Sequence, residues 1–329
     1  MPRPRPRLAA LDLGTNNCRL LIADPLEGGF RIVDSFSRIV RLGEGLVRTN
    51  RLSERAMSRT LSALKVCARL MDRYNVDLRR CVTTEACRRA ENGGEFLRRV
   101  RRVTGIKLEL LPHEREAGLA MLGCLPLIDE DADQLMMLDI GGGSTEIMWL
   151  DRDDPSFGKE PGHSFSIPVG VVTLSEAFGR NLSSQCYSQM VARVLDMMSA
   201  TQGVALSFMR SDRYLQMLGT SGTVTTLAAV HLGLKRYDRR KVDGVSLSYE
   251  AIASVGRHLR LLDNQARAAH PCIGYGRADL VIAGCAILDA VHQVWPVEQL
   301  HVADRGVREG ILNELVGRSL RQSLLRQPQ

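Results

Sequence analysis

Two carboxylates flank a run of glycines near the middle of the 329-residue chain, in residues 135–150 (LMMLDIGGGSTEIMWL). An apolar run ends at Asp139, three glycines and a serine follow, and a second apolar run begins after Glu146. This pattern predicts a strand, a tight loop and a returning strand, because glycines let backbone N–H groups crowd around an anion. The turn would bring the two carboxylates together, as a magnesium–phosphate site requires.

The residues of this loop divide into two candidate roles. Asp139 and Glu146 are candidate Mg²⁺ ligands, because Mg²⁺ takes one or two carboxylates and completes its shell with water and substrate oxygens. An ordinary hairpin is the weaker interpretation, since three successive glycines weaken a strand pair unless something lies against the backbone. The candidate phosphate-binding residues are Gly141, Gly142, Gly143 and Ser144.

A weaker copy of the segment lies near the N-terminus, in residues 11–17 (LDLGTNN). Aligning Asp12 with Asp139 keeps the order Leu, Asp, aliphatic residue, Gly, followed by a small polar turn and an apolar run. Such a match predicts two related halves whose loops would face each other across a cleft. Asp12 becomes a third candidate metal ligand, although an ordinary hairpin explains this loop equally well. Its candidate phosphate-binding residues are Gly14, Thr15 and Asn16.

Three further segments carry residues suited to phosphoryl chemistry. Glu116 lies at the start of a predicted helix and would serve as a general base, although the helix dipole alone also favours an acid there. Arg88 follows a predicted strand and would neutralise a transferring phosphoryl group, or else belong to a solvated helix face. A small-residue loop before a predicted helix is either an anion cradle or a plain connection. Its candidate residues are Gly219, Ser221, Gly222 and Thr223.

Composition narrows the class of partner. The net charge of +7 indicates an anionic partner, and arginine suits bidentate phosphate contacts. Aromatic residues make up only 5% and do not alternate with basic ones, which argues against specific nucleic-acid binding. No apolar run is long enough for a membrane span, so we expect no membrane partner. Eight scattered cysteines without a C-x-x-C pair fit a reducing compartment and predict a cytoplasmic protein.

The motifs of several enzyme classes are missing from the sequence. It has no G-x-x-x-x-G-K-[ST] loop, no G-x-S-x-G elbow and no histidine spacing typical of a metal site. Strands alternate with helices after an antiparallel opening, which predicts an α/β protein with mixed sheets. The predicted strands end near residues 12, 23, 36, 82, 111 and 219, and two more flank the glycine loop within residues 135–150. The predicted helices cover about 53–71, 96–103, 113–123, 171–179, 184–200, 249–262, 277–293 and 305–317.

Domain boundaries follow from composition shifts. A disordered basic tail is expected over residues 1–7, a first domain over 8–124, a second over 125–304 and a tail over 320–329. The closing helix, at about 305–319, is expected to pack back on the first domain.

With these residues in hand, the chain resembles the exopolyphosphatase/guanosine pentaphosphate phosphatase (Ppx/GppA) family, in its short two-domain form. That family belongs to the actin/Hsp70/sugar-kinase superfamily. The resemblance covers about residues 8–317, and Thr15 and Asn17 depart from it, standing where many members have serines. The matching segments, in the same order, are residues 11–16, 84–88, 114–117, 139–146, 219–224 and 304–310.

The resemblance implies two ribonuclease H-like domains with mixed sheets and a cleft between them. It also implies a Mg²⁺ cofactor, Glu116 as the catalytic base, Arg88 on the scissile phosphate, and Asp139 with Glu146 as metal and phosphate contacts. Family members release terminal orthophosphate from inorganic polyphosphate, and some convert pppGpp to ppGpp. We therefore expect a magnesium-dependent exopolyphosphatase that binds polyphosphate and pppGpp/ppGpp, and forms a homodimer. The alternatives are a main activity on pppGpp, a kinase of the same fold, and a non-catalytic alarmone or nucleotide sensor.

Overall fold

Two mixed β-sheets organise the chain, and each lies in its own structural unit. The computed structural model describes residues 6–155, 157, 162–179, 183–208 and 213–324. The first unit contains the residues up to Gly123 together with those from Gly306 onward, and the second contains residues 124–305. The predicted fold class, an α/β protein with two mixed-sheet domains, is therefore confirmed.

The first sheet has five strands in the order β3-β2-β1-β4-β5. Strands β1 to β3 form an antiparallel meander, and β4 and β5 continue the sheet in parallel to β1. The predicted strand ending at residue 111 is much shorter than expected: Ile106 and Leu108 are buried in the core without joining the ladder. The strands are β1 (Leu8–Leu13), β2 (Asn17–Leu26), β3 (Gly29–Ile39), β4 (Leu78–Thr83) and β5 (Glu109–Leu110).

The second sheet repeats this plan and extends it. Its order is β10-β11-β9-β6-β7-β8, with β6 to β8 antiparallel and β9 and β11 parallel to β6. Strands β8, β10 and β11 were not predicted, because they are short and two of them are partly exposed edges. The strands are β6 (Gln134–Ile140), β7 (Thr145–Asp151), β8 (His163–Ile167), β9 (Leu215–Thr220), β10 (Ser246–Ser248) and β11 (Gln299–Ala303).

Helices cover the sheets, and Ser53 caps the long helix α2 as predicted, its Oγ accepting from the Ala56 amide at 3.2 Å. The helices of the first unit are α1 (Leu46–Thr49), α2 (Glu54–Arg73), α3 (Glu85–Arg89), α4 (Gly93–Thr104) and α5 (His113–Cys124). Those of the second are α6 (Val171–Phe178), α7 (Ser184–Phe208), α8 (Ser221–His231), α9 (Arg239–Val242), α10 (Tyr249–Leu261), α11 (Asn264–Ala269) and α12 (Val281–Val294), with a 3-10 turn at Leu125–Leu127. The final helix is α13 (Val307–Leu324).

Helix α13 belongs to the first unit and packs closely on α5. A Cβ on Gly310 would lie 1.9 Å from the Leu119 carbonyl oxygen, so only glycine fits there. The Asn313 side chain donates to the Leu122 carbonyl at 3.0 Å. The segment after Gly306 therefore completes a unit that begins at the other end of the chain.

Parts of the two predicted tails, residues 1–5 and 325–329, lie outside the described residues. Arg7, expected in the first tail, instead forms an ion pair with Asp24 at 2.8 Å, and α13 continues to Leu324. Among the helices in the described part of the chain, none combines the length and apolar character needed to cross a membrane.

Candidate active site

The glycine run forms a tight hairpin between β6 and β7. The Gly141 amide donates to the Ser144 carbonyl at 2.9 Å and closes a four-residue turn. A Cβ on Gly141 would lie 2.9 Å from that same oxygen, so the turn requires glycine at this position. The strand–loop–strand arrangement predicted from the sequence is present.

A row of polar residues crosses the second sheet beside this turn. Asp139 on β6 lies directly opposite Glu146 on β7, so the two carboxylates share one face of the sheet. Thr220 on β9 extends the row on one side and Ser166 on β8 extends it on the other. The row places two carboxylates side by side in a largely buried position.

Glu146 is held within this row by a side chain that was not identified from the sequence. The residue is 97% buried, and its Oε1 accepts a hydrogen bond from Ser166 Oγ at 2.9 Å. Ser166 lies on a strand that no pattern predicted, 20 residues beyond Glu146. Only the pairing of β7 with β8 brings the two together.

The carbonyls of the glycine loop are already used by helix α6. The Gly141 and Gly142 oxygens accept from the Val171 and Val172 amides at 3.0 and 2.9 Å. A Cβ on Gly170 would lie 2.5–2.6 Å from the loop backbone, so the loop and helix touch directly. Within the described ranges, the Gly142 and Gly143 amides have no backbone acceptor. The loop thus directs its carbonyls towards α6 and leaves two N–H groups without a backbone acceptor.

The loop predicted over residues 219–223 is not present as a loop. Strand β9 continues through Thr220 and helix α8 begins directly at Ser221. Ser221 has a φ of 91°, a left-handed conformation that is rare outside glycine and typical of functional sites. Its Oγ is buried and has no hydrogen-bond partner in the part of the chain that the structure describes.

Two of the four candidate residues of this segment have packing roles. A Cβ on Gly219 would lie 3.0 Å from both Leu300 and Val224, so glycine lets the strand approach its neighbours. Thr223 is buried against α12, where a Cβ on Gly284 would lie 2.4 Å from its Cγ2. Ser221 and Gly222 are the two that stand at the N-terminus of α8.

A cation that was not identified from the sequence lies at that helix N-terminus. The Arg277 guanidinium is 3.7–3.9 Å from the position of a Cβ on Gly222. Its Nη1 donates to Thr226 Oγ1 at 3.0 Å, which fixes the side chain beside the first turn of α8. The helix dipole and the guanidinium together favour an anion here.

The first-unit hairpin has the same turn but different charges. The Gly14 amide donates to the Asn17 carbonyl at 2.9 Å, as Gly141 does to Ser144. Asp12, however, lies opposite Arg19 on β2 rather than opposite a carboxylate. Burial raises the pKa of Asp12, and the charges of Arg19 and Arg308 oppose that shift.

The polar side chains of the first turn are mostly buried. The Asn16 carbonyl accepts from the Val40 and Arg41 amides at 2.8 and 2.9 Å. Among the described residues, no partner is found for the buried Asn16 Oδ1. The methyl group of Thr15 faces Gly43, where a Cβ would lie 2.4 Å away. The turn therefore packs tightly, and Asn17 Oδ1 is a second buried acceptor with no partner among the described residues.

Arg88 and Glu116 lie together in the first unit. Arg88 Nη2 is 3.3 Å from Glu116 Oε2 and 2.9 Å from Glu85 Oε2. The same nitrogen is 3.0 Å from His113 Nδ1, and Nη1 donates to the Leu111 carbonyl. The side chains of Arg88 and Glu116 are only 18% and 13% exposed. Glu85 and His113, which complete the cluster, were not singled out from the sequence.

Comparisons with known proteins identify the family of the chain. The model of the Ppx/GppA phosphatase family matches residues 21–319. Exopolyphosphatase 2 of Mycobacterium tuberculosis is 28% identical over 327 residues, covering 94% of this chain and 99% of that protein.

Solved structures of family members and related proteins have the same fold. The crystal structure of the Aquifex aeolicus member of the Ppx/GppA family is 29% identical, with a TM-score of 0.76 over 96% of this chain and 98% of that one. An exopolyphosphatase from Cytophaga hutchinsonii shares the fold, with a TM-score of 0.85 at 22% identity over 95% of this chain and 98% of that one. The sequence segments, the two sheets and the family match lead to one conclusion: this chain belongs to the Ppx/GppA phosphatase family.

Proposed function

We propose that the protein is a magnesium-dependent exopolyphosphatase that releases terminal orthophosphate from inorganic polyphosphate by attack of water. The observation that carries this proposal is the cross-strand pair of Asp139 and Glu146 beside a loop that keeps backbone amides for an anion. Family membership and the name of the Mycobacterium tuberculosis relative support polyphosphate as the substrate.

The donor set of the second sheet suits Mg²⁺. Asp139 and Glu146 offer carboxylate oxygens, which this hard cation prefers, and Ser166 orients one of them. Mg²⁺ held there would neutralise negative charge on phosphate oxygens. Asp12 is the least suited of the three candidates, because the charges of Arg19 and Arg308 already offset its own.

Each unit, taken by itself, offers backbone and side-chain donors that we propose as phosphate contacts. In the second unit these are the amides of the glycine loop, Ser144, and the α8 N-terminus with Ser221 and Gly222. Arg277 would add a bidentate cation beside that N-terminus. In the first unit the proposed contacts are Gly14, Thr15 and Asn16.

Glu116 would accept the proton of the attacking water, and Arg88 would offset charge on the transferring phosphoryl group. Their geometry supports this, because Arg88 Nη2 lies 3.3 Å from Glu116 Oε2 and both side chains are largely buried. Glu85 and His113 contact the same guanidinium nitrogen, Nη2, and help to fix the side chain.

The test is orthophosphate release from long-chain polyphosphate and, in parallel, from pppGpp, with Mg²⁺ present or chelated. Glu116→Gln is compared with Glu114→Gln, an exposed glutamate of the same helical turn. Magnesium-dependent release that only the first variant loses would support the proposal. Faster release from pppGpp would assign the alarmone as the main substrate, and binding without release would favour a sensor. The expected homodimer is tested on the same preparation by light scattering.

A further inference from the structure

Helix α2 carries a continuous cationic stripe on its outward face. The stripe, here called the α2 stripe, consists of Arg55, Ser58, Ser62, Lys65, Arg69 and Arg73, all of them exposed. Their spacing of three or four residues puts them on one side of the helix, opposite the buried side that includes Leu64, Cys67 and Met71. We infer that the α2 stripe binds the body of an inorganic polyphosphate chain, away from its terminal phosphate.

The stripe carries more positive charge than the carboxylates of its own helix offset. Within the described part of the chain, none of its four cations takes part in an ion pair. The helix has two carboxylates, which border the stripe. Glu54 is paired with Arg99 of α4 at 2.6 Å, and the exposed Asp72 lies three residues after Arg69. The stripe itself contains only cations and hydroxyl groups.

Helix stability does not account for this arrangement. Lys65, Arg69 and Arg73 follow one another at intervals of four, which places like charges next to each other. The helix dipole favours Arg73 in the last turn but opposes Arg55 in the first. An anionic ligand would relieve the repulsion.

The stripe is long and straight, which suits a linear polyanion. Eighteen residue steps from Arg55 to Arg73 span about 27 Å at the helical rise. The Glu54–Arg99 ion pair fastens α4 beside the start of α2. Helix α4 adds three exposed cations at that end, namely Arg98, Arg101 and Arg102.

Inorganic polyphosphate fits this surface better than single-stranded nucleic acid does. Helix α2 contains no aromatic residue, and the aromatic residue of α4, Phe96, is fully buried. The surface therefore offers charge and hydroxyl donors without any platform on which bases would stack. This ligand assignment rests on the proposed function, since it takes the substrate from there.

The test compares two triple variants, one that removes three charges from the stripe and one that removes three exposed charges from the second unit. Lys65→Gln/Arg69→Gln/Arg73→Gln is compared with Lys235→Gln/Arg236→Gln/Arg257→Gln, a set of exposed cations in the second unit. Binding of end-labelled long-chain polyphosphate is followed by fluorescence anisotropy at several salt concentrations. The stripe variant is expected to bind about tenfold more weakly at low salt, and its salt slope to fall by about 2, whereas the control binds like the wild type. The KM for long chains should rise in parallel, with tripolyphosphate kinetics unchanged.

Binding is measured in a Glu116→Gln background as well, so that it does not depend on turnover. If the wild type released no phosphate but its binding of polyphosphate still depended on the stripe, the proposed function would be contradicted. The inference that the stripe binds polyphosphate would stand. Equal affinity and equal salt slope in the stripe and control variants would overturn the inference, even for an active enzyme. Single-stranded RNA that displaces the label better than unlabelled polyphosphate at equal phosphate concentration would overturn the assignment of the ligand. Unchanged thermal midpoints of both variants verify that they fold.

Discussion

Asp139 and Glu146 are direct cross-strand partners, and Asp12 and Arg19 occupy the corresponding places in the other sheet. Both hairpins close with the same glycine-amide hydrogen bond of 2.9 Å. One hairpin therefore pairs two like charges, and the other pairs a carboxylate with a guanidinium. Because like charges directly opposite each other are destabilising, the facing charges of the two hairpins affect stability in opposite directions.

Asp139→Asn should uncouple folding stability from magnesium. In EDTA the variant is expected to gain about 0.5 kcal/mol in free energy of unfolding, because one of two facing carboxylates becomes neutral. The wild type should gain stability from Mg²⁺, since a ligand that binds only the folded state stabilises it. Urea unfolding with and without Mg²⁺ measures both effects. An equal magnesium response in wild type and variant would contradict the proposed ligand role.

Arg88→Gln should reduce turnover about 100-fold, whereas Arg89→Gln should leave it nearly unchanged. Arg88 is enclosed by Glu85, Glu116 and His113, and its neighbour Arg89 is exposed. Steady-state kinetics on polyphosphate give the comparison. Near-normal turnover of Arg88→Gln would show that the arginine has a structural role only.

Ser166→Ala should weaken Mg²⁺ binding by about 10- to 100-fold, because the Glu146 carboxylate loses the hydroxyl that orients it. Ser164→Ala, two residues earlier on the same strand, is the matched control. Isothermal titration with Mg²⁺ measures the affinity directly. Identical affinities in the two variants would mean that Glu146 needs no support from β8.

Asp24→Asn should destabilise the first unit in a pH-dependent way. The Arg7 guanidinium, 2.8 Å away, holds the pKa of Asp24 below 3.8, and Arg31 adds to the effect. The ionised form is therefore stabilised by folding, and this contribution is present above about pH 3.8 and lost as pH falls through the lower folded-state value. We expect a loss of about 0.5 kcal/mol at pH 7 and less at pH 3.

Urea titrations at the two pH values test this linkage, with the exposed Glu27→Gln as control. A loss that does not shrink at low pH would point to packing rather than charge as its cause.

Local patterns were enough to predict the central hairpin and the start of α2. The run of three glycines between two apolar stretches specifies a turn, and Ser53 specifies a helix N-terminus, without reference to distant residues. Ser166 and Arg277 could not be identified from local patterns. Strand register brings Ser166 to Glu146, and helix packing brings Arg277 to Thr226, from far along the chain. Segment 219–223 was predicted to be a loop, but the strand passes directly into the helix there. Ser221 makes this possible by adopting the left-handed conformation that sequence patterns assign to glycine.

Because α13 belongs to the first unit, the two units are completed in a fixed order during translation. The second unit is one continuous stretch, so all of its strands have left the ribosome once residue 305 has emerged. The first unit begins to be made earlier, yet it lacks the helix that packs on β1 and α5 until the last part of the chain appears. The half that is translated first is therefore the half that is completed last, and a ribosome stalled before Gly306 would hold a finished second unit behind an unfinished first one.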